Sequence, residues 1–205
     1  MLKEFSLNLS INPEGFLLFQ RRKADPAFRP IRDKVWKRDA CTCQFCGFQA
    51  QEHQEIINLD ANYRNNKLSN MVTSCCFCAQ CFFIENVGQG GFGGGKLVHL
   101  PELSQVELNS FCHVIFCALA NGAGYSDAAQ KIYRDLKFRS QPIEEKFGEG
   151  MSKPNTFGQM TAECAKEQDA LKVALKQFRL LPTYAKFKRQ LDTWAAAATQ
   201  ELASA

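Results

Sequence analysis

Cys43-x-x-Cys46 and Cys75-x-x-Cys78 set four thiols in two pairs around a segment that contains no cysteine. A two-residue gap lets one tight turn aim both sulfurs at a common point. Two such turns complete a tetrahedral thiolate site of the kind that structural zinc prefers. A site closed by four thiolates leaves no position open for water, so the metal would hold a fold together rather than activate a nucleophile. The expected ligands are Cys43, Cys46, Cys75 and Cys78, around one structural Zn²⁺ per chain. Cys81 is the rival, because Cys78-x-x-Cys81 has the same spacing and shares a helical face with Cys78. Cys41 competes with Cys43 but lacks the two-residue gap to Cys46. Cys112, Cys117 and Cys164 lie in apolar, helical surroundings and are expected to be inert core thiols.

Composition fits that chemistry. The chain has 205 residues, 45% hydrophobic and 22% charged, enough for one real core. Ten cysteines without a signal-peptide pattern at the N-terminus point to metal-bound thiolates in a reducing, cytoplasmic setting, not to a disulfide scaffold. No apolar run reaches membrane length; the best candidate, residues 108–120, is short and holds Asn109, Ser110 and His113. Direct membrane insertion is therefore not expected. The formal charge is +4, and four thiolates around one Zn²⁺ reduce it to about +2. That is too small to argue for nucleic acid by itself.

The elements that would position the cysteines follow from pattern. Residues 4–22 suggest a β-hairpin: Phe5, Leu7 and Leu9 alternate, Asn12-Pro13-Glu14-Gly15 is turn chemistry, and Phe16 to Phe19 returns. A short helix is expected over 30–40, with Ile31, Val35 and Trp36 on one stripe. Gly47 can supply the positive φ of a zinc knuckle. Residues 55–60 suggest a strand, 62–69 a loop, and a helix carrying Cys75 and Cys78 is expected to start near Ser74. Glycine-rich residues 88–95 form a flexible break between an N-terminal module, 1–87, and a mainly helical region, 96–205, packed on it as one unit. The second half opens with a strand near 96–100. Ser104 and Glu107 form a capping box, and further helices are expected over 127–138, 157–167, 170–179 and 183–202. The fold class is thus α+β: N-terminal β-hairpins and a metal-braced ββα unit, then helices.

Three other signals have bland readings. Gly90 to Lys96 matches most of a phosphate-binding loop, but Leu97 stands where that loop needs Ser or Thr. His99 and His113 each stand alone among apolar neighbours, and the basic run at Lys186, Lys188 and Arg189 suits a solvated helix face or a docking surface for an acidic partner.

The string Arg38-Asp-Ala-Cys-Thr-Cys43-Gln-Phe-Cys46-Gly, followed by a β segment and by Asn70 five positions before Cys75, resembles the zinc-supported HNH endonuclease fold. That resemblance favours Cys75 and Cys78 over Cys81. HNH catalysis needs a histidine at the end of the strand as general base and a further polar ligand for a catalytic divalent ion. Here the strand carries Asn58, Ala79 replaces a later histidine, and His53 lies too far upstream. The expectation is a retained structural metal and no catalytic residues, with a metal-dependent HNH endonuclease or nucleic-acid-binding protein as the alternative.

Over most of its length the chain is similar to the IcmJ/DotN family of the Dot/Icm (type IVB) secretion system. The matching stretches include Cys43-Gln-Phe-Cys-Gly-Phe-Gln-Ala50, Leu68-Ser-Asn-Met-Val-Thr73, Cys75-Cys-Phe-Cys-Ala-Gln-Cys-Phe-Phe83, Glu144-Glu-Lys-Phe-Gly-Glu-Gly150 and Arg179-Leu-Leu-Pro182. The resemblance implies a non-catalytic cytoplasmic subunit of the coupling complex, peripheral to the inner membrane. It would bind a C-terminal segment of the coupling ATPase DotL and support the IcmS/IcmW adaptors that recruit effector proteins. No docking residue follows from these motifs.

Overall fold

Asn12 and Pro13 begin a helix, α1 (Pro13–Ala24), and not a hairpin turn. The computed structural model, which describes residues 5–122, 124–163 and 168–204, places no regular element over residues 5–12. The hairpin expected over 4–22 is therefore corrected, and end chemistry explains why. Asn12 Oδ1 accepts from Gly15 N at 2.9 Å, Pro13 occupies the first turn, Glu14 follows it, and Arg21, Arg22 and Lys23 fill the last turn. Every one of these favours a helix end, and together they outweigh the alternation before them. The buried face of α1 sets Phe19 against Tyr63 and Phe83, with ring centroids 5.9 and 5.2 Å away.

A 3-10 turn leads into α2 (Arg29–Arg38), the short helix anticipated from its apolar stripe. Beyond it, a tight loop carries the first cysteine pair. Strands β1 (Gln54–Asn58) and β2 (Met71–Cys75) then pair antiparallel, from Gln54 opposite Cys75 to Asn58 opposite Met71. β2 runs directly into α3 (Cys76–Ala79), so Ser74 and Cys75 finish a fully buried strand where a helix start was expected.

The second half begins with β3 (Gly95–His99), then α4 (Gln105–Ala120) behind the full capping box at Ser104 and Glu107. Helices α5 (Ser126–Phe138), α6 (Gln141–Phe147), α7 (Pro154–Glu163) and α8 (Gln168–Leu175) follow. Pro142, read as punctuation, sits in the first turn of α6, where its missing N–H costs nothing. The helix expected over 170–179 gives way to β4 (Phe178–Pro182), which pairs antiparallel with β3 from Gly95 opposite Pro182 to His99 opposite Phe178. Phe178, Leu180 and Leu181 are all buried there, and Pro182 sits at the strand end, where one lost donor is tolerated. The chain closes with α9 (Lys188–Ser204). The end of the helix expected over 157–167, and Cys164 with it, lie outside the described residues.

The expected α+β architecture is present: short antiparallel strands with helices dominating the second half. One buried cluster joins Phe19, Phe77 and Phe83 from the first half to Leu97, Phe116, Leu180 and Phe187 from the second. A smaller one, Phe28, Val35, Ile56 and Met71, lies under α2. Among the described residues no helix is long and apolar enough to cross a membrane. Gly158 on α7 allows close packing against the turn at Ile84–Asn86, because a Cβ there would lie 2.7 Å from both Glu85 N and Glu85 Cα. Backbone atoms cannot swing aside, so Gly158→Ala should cost about 1–3 kcal/mol in urea denaturation. An unchanged midpoint would show that the turn yields freely.

Candidate metal centre

The sulfurs of Cys43, Cys46, Cys75 and Cys78 lie within 4.8 Å of one another. Each comes from a different kind of local structure. Cys43 and Cys46 sit in a knuckle closed by Gly47 N to Cys43 O (2.9 Å) and Cys43 N to Phe48 O (2.8 Å), with Gly47 at φ 75° as anticipated. Cys75 ends β2, and Cys78 lies one turn into α3. The knuckle is tied to β2 by Gln44 N to Thr73 O (2.9 Å), and Thr73 N donates to Asp39 Oδ2 at 2.8 Å.

Tetrahedral zinc with Zn–S bonds of ~2.3 Å sets its sulfurs about 3.8 Å apart. Cys46 Sγ and Cys75 Sγ are 3.6 Å apart, so the donor set fits such an ion. Cys81 stands outside the group: its thiol donates to Phe77 O at 3.3 Å, and burial pushes it up from the ordinary thiol value. Burial likewise holds Cys75 and Cys78 well above that value, reinforced by the neighbouring sulfurs. Burial raises Cys43 too, but hydrogen bonds from Cys46, Cys75 and Cys78 outweigh it and pull this thiol well below. Four sulfurs so close share one negative charge readily and resist more, unless a cation sits among them.

The inner face of α4 closes over this centre, and here sequence reasoning missed two residues. Asn109 Nδ2 donates to Cys78 Sγ at 3.2 Å. Its orientation is enforced, because Asn109 Oδ1 accepts from Gln105 Nε2 at 2.9 Å. Gln105 in turn clasps the backbone of β4, donating to Leu180 O (2.9 Å) and accepting from Leu180 N (2.8 Å). One turn along α4, His113 stacks between Phe48 and Phe77, and its Nε2 lies 3.4 Å from Cys75 Sγ. Burial lowers His113 to about 3, so the ring is neutral near pH 7. Ser110 Oγ donates to Cys46 O at 3.3 Å. Asn109, Ser110 and His113 are the polar residues that interrupt the apolar run over 108–120, and that interruption was the available signal. The expected isolation of His113 holds only for its ring faces. Cys112 is buried as expected, whereas Cys117 is exposed, accepting from Asn121 Nδ2 at 3.4 Å, and is corrected from core to surface. His99 faces Gln177, Nε2 to Oε1 3.3 Å.

Asn58, the strand residue that the sequence offers where a catalytic histidine would be needed, is consumed by structure. Its Nδ2 donates to Asn62 O (2.9 Å) and Asn65 O (2.8 Å), and its Oδ1 accepts from Arg22 at 2.6 Å. Arg22 is buried, donates also to Ile56 O at 2.7 Å, and stacks on Phe28 and Tyr63; burial lowers it to about 10. Asn70 donates to Asp60 Oδ1 and Asn65 O, both at 2.9 Å, and so braces the loop between the strands. His53 sits before the opposite end of β1, about 16 Å from Asn58 by strand rise. It lies 3.3 Å from Thr193 Oγ1 on α9. Ala79 is buried. The arrangement can hold a thiophilic ion, and it brings none of the chain's three histidines to Asn58.

No protein-family model matches the chain. Over 198 residues, covering 96% of this chain and 92% of the relative, it is 54% identical to the Type 4 apparatus protein DotN of Legionella pneumophila subsp. pneumophila. The chain belongs to the DotN family. For a DotN family member, the covered span includes both cysteine pairs and the α4 residues that reach them, since at most a few terminal residues fall outside it.

Proposed function

We propose that this protein is a zinc-stabilised, non-catalytic subunit of the type IVB secretion coupling complex. In this reading it docks a C-terminal segment of the coupling ATPase DotL and supports the IcmS/IcmW adaptors that present effectors for export. It works in the cytoplasm, held at the inner membrane by its partners. The observation that carries the reading is the 54% identity, spanning 96% of the chain, to a type 4 apparatus protein. The sulfur cluster and the structural use of Asn58 support it, because together they leave a metal brace without a base beside it.

Cys43, Cys46, Cys75 and Cys78 are the zinc ligands in this reading, and Cys81 is not. Zinc, once held, fixes the knuckle, β2 and α3 to one point. Asn109 positions the Cys78 sulfur and withdraws charge from it, as outer hydrogen bonds do at metal thiolates. Asn109→Ala should weaken zinc retention about 10–100-fold in competition with a chromophoric chelator. Unchanged retention would make Asn109 a packing residue only.

The functional test is titration of the zinc-loaded full chain with a labelled C-terminal segment of the coupling ATPase. Saturable binding is expected; no association at micromolar concentrations removes the docking role. Incubation with plasmid DNA and Mg²⁺ or Mn²⁺ is expected to give no nicking. Cleavage abolished by His53→Ala would instead establish the nuclease.

A further inference from the structure

Arg22 is buried and forms no ion pair among the described residues; its hydrogen bonds go to neutral groups, Asn58 Oδ1, Asn66 Oδ1 and Ile56 O. A buried charge is ordinarily matched by a counter-charge. This one lines a cavity of about 190 Å³ bounded by α1, α2 and the start of β1. Lys23, Arg29 and Arg32 share the lining, against two carboxylates, Asp25 and Glu55. Both carboxylates are engaged: Glu55 pairs with Lys23, and Asp25 Oδ1 accepts from Ala27 N at 2.9 Å. Arg29 is exposed and has no hydrogen-bond or ion-pair partner among the described residues. Arg32 lies 4.5 Å from the Trp36 ring centroid, with Nε and Nη2 donating to the adjacent Asp33. Two more lining residues carry a buried polar atom without a partner: Gln54, 5% exposed, at Oε1, and Trp36 at Nε1. The lining therefore holds an excess of cations together with one unmet acceptor and one unmet donor.

We propose that this cavity binds a small phosphate monoester with free hydroxyls, its phosphate among Arg22, Arg29 and Arg32 and its hydroxyls toward Gln54 Oε1 and Trp36 Nε1. Charge selects the phosphate. A monoester carries about −1.5 to −2 at pH 7 and offers three acceptor oxygens, which answer the surplus cations and their guanidinium forks better than one carboxylate does. A hydroxyl both donates and accepts, so a polyol serves the two unmet atoms together. Size selects the rest: the cavity equals the space of about six water molecules at ~30 Å³ each, room for a phosphate on a three-carbon chain and too little for a nucleotide or a peptide helix. The site shares no side chain with the sulfur cluster and stands independently of the docking role proposed above.

The test is calorimetric titration of zinc-loaded full-length protein with glycerol 3-phosphate, and separately with inorganic phosphate, glycerol, a thymidine oligomer, and phosphatidylcholine vesicles containing phosphatidic acid. Saturable one-to-one binding of glycerol 3-phosphate is expected, tighter than that of inorganic phosphate, with none of glycerol. R29Q/R32Q should raise its Kd about tenfold or more, and R29K/R32K should restore part of the loss, since lysine keeps the charge without the fork. W36F keeps a ring beneath Arg32 and removes only the Nε1 donor; it should raise Kd for glycerol 3-phosphate about fivefold and leave inorganic phosphate unchanged. Far-UV circular dichroism and zinc content verify folding, and W36F carries the test if the arginine variants misfold. Absent binding of glycerol 3-phosphate, or binding unchanged in R29Q/R32Q and W36F, overturns the site. Equal affinity for inorganic phosphate overturns the hydroxyl contacts. Binding of the oligomer or the vesicles without binding of glycerol 3-phosphate assigns the cations to another ligand and overturns the proposal.

Discussion

Cys78→Ser is expected to lose the metal and unfold the module around it, the largest effect of any single change in this chain. Cys78 is fully buried on α3, and the sulfurs it joins come from the knuckle and from the end of β2. The sulfurs are carried by short elements, a knuckle, a two-stranded sheet and a four-residue helix, over which α4 closes. Structural zinc contributes ~10–16 kcal/mol in small metal-folded peptides, as large as the whole stability of an ordinary domain at about 5–15 kcal/mol. No remaining contact in the module replaces a term of that size. A serine there also leaves Asn109 Nδ2 aimed at a shorter, poorer ligand. Cys81→Ser supplies the contrast, since its thiol donates only to Phe77 O and a hydroxyl can do the same. That variant should keep its metal and lose no more than about 2 kcal/mol. Near-UV circular dichroism during heating, with zinc measured on the same samples, separates the two. A metal-free Cys78→Ser protein with a wild-type cooperative melt would refute the brace.

The second large effect is expected at Arg22. Arg22→Met keeps most of the side-chain volume but removes the donor to Asn58 Oδ1 and to Ile56 O. No other donor reaches Asn58 Oδ1 among the described residues, so a buried acceptor is stranded at a cost of ~1–3 kcal/mol. Loss of the stacking on Phe28 and Tyr63 adds about 1 kcal/mol or more. The sum, about 2–4 kcal/mol in urea denaturation, would be large for a residue on a helix end. A loss below about 1 kcal/mol would mean that water replaces the guanidinium without strain. This arginine also explains why an asparagine suits position 58. An imidazole there would lose the Arg22 bond to Asn58 Oδ1 and the two bonds that Asn58 Nδ2 donates to Asn62 O and Asn65 O.

The clustering of the four cysteines was legible because its information is local: two spacings bring the sulfurs together in pairs, and one glycine permits the knuckle. Choosing between Cys78 and Cys81 was not local. Helical spacing permits both, and the difference arises because β2 ends at Cys75, which turns Cys78 toward the knuckle and Cys81 toward Phe77 O. α1 was misread because alternation and a helix stripe overlap in so short a run, and the caps carried the decisive information. β4 was missed since its strand character comes from pairing with β3, about 80 residues earlier in the chain. Asn109 and His113 needed the fold, because their partners lie on α3 and β2.

Native mass spectrometry of the purified full-length protein addresses the brace most directly, because it weighs the metal and reports compactness on the same ions. The expected spectrum has compact, low-charge ions carrying one zinc, while ions stripped of zinc by a chelator shift to the high charge states of an unfolded chain. Compact ions that retain their low charge with no metal bound would contradict the account.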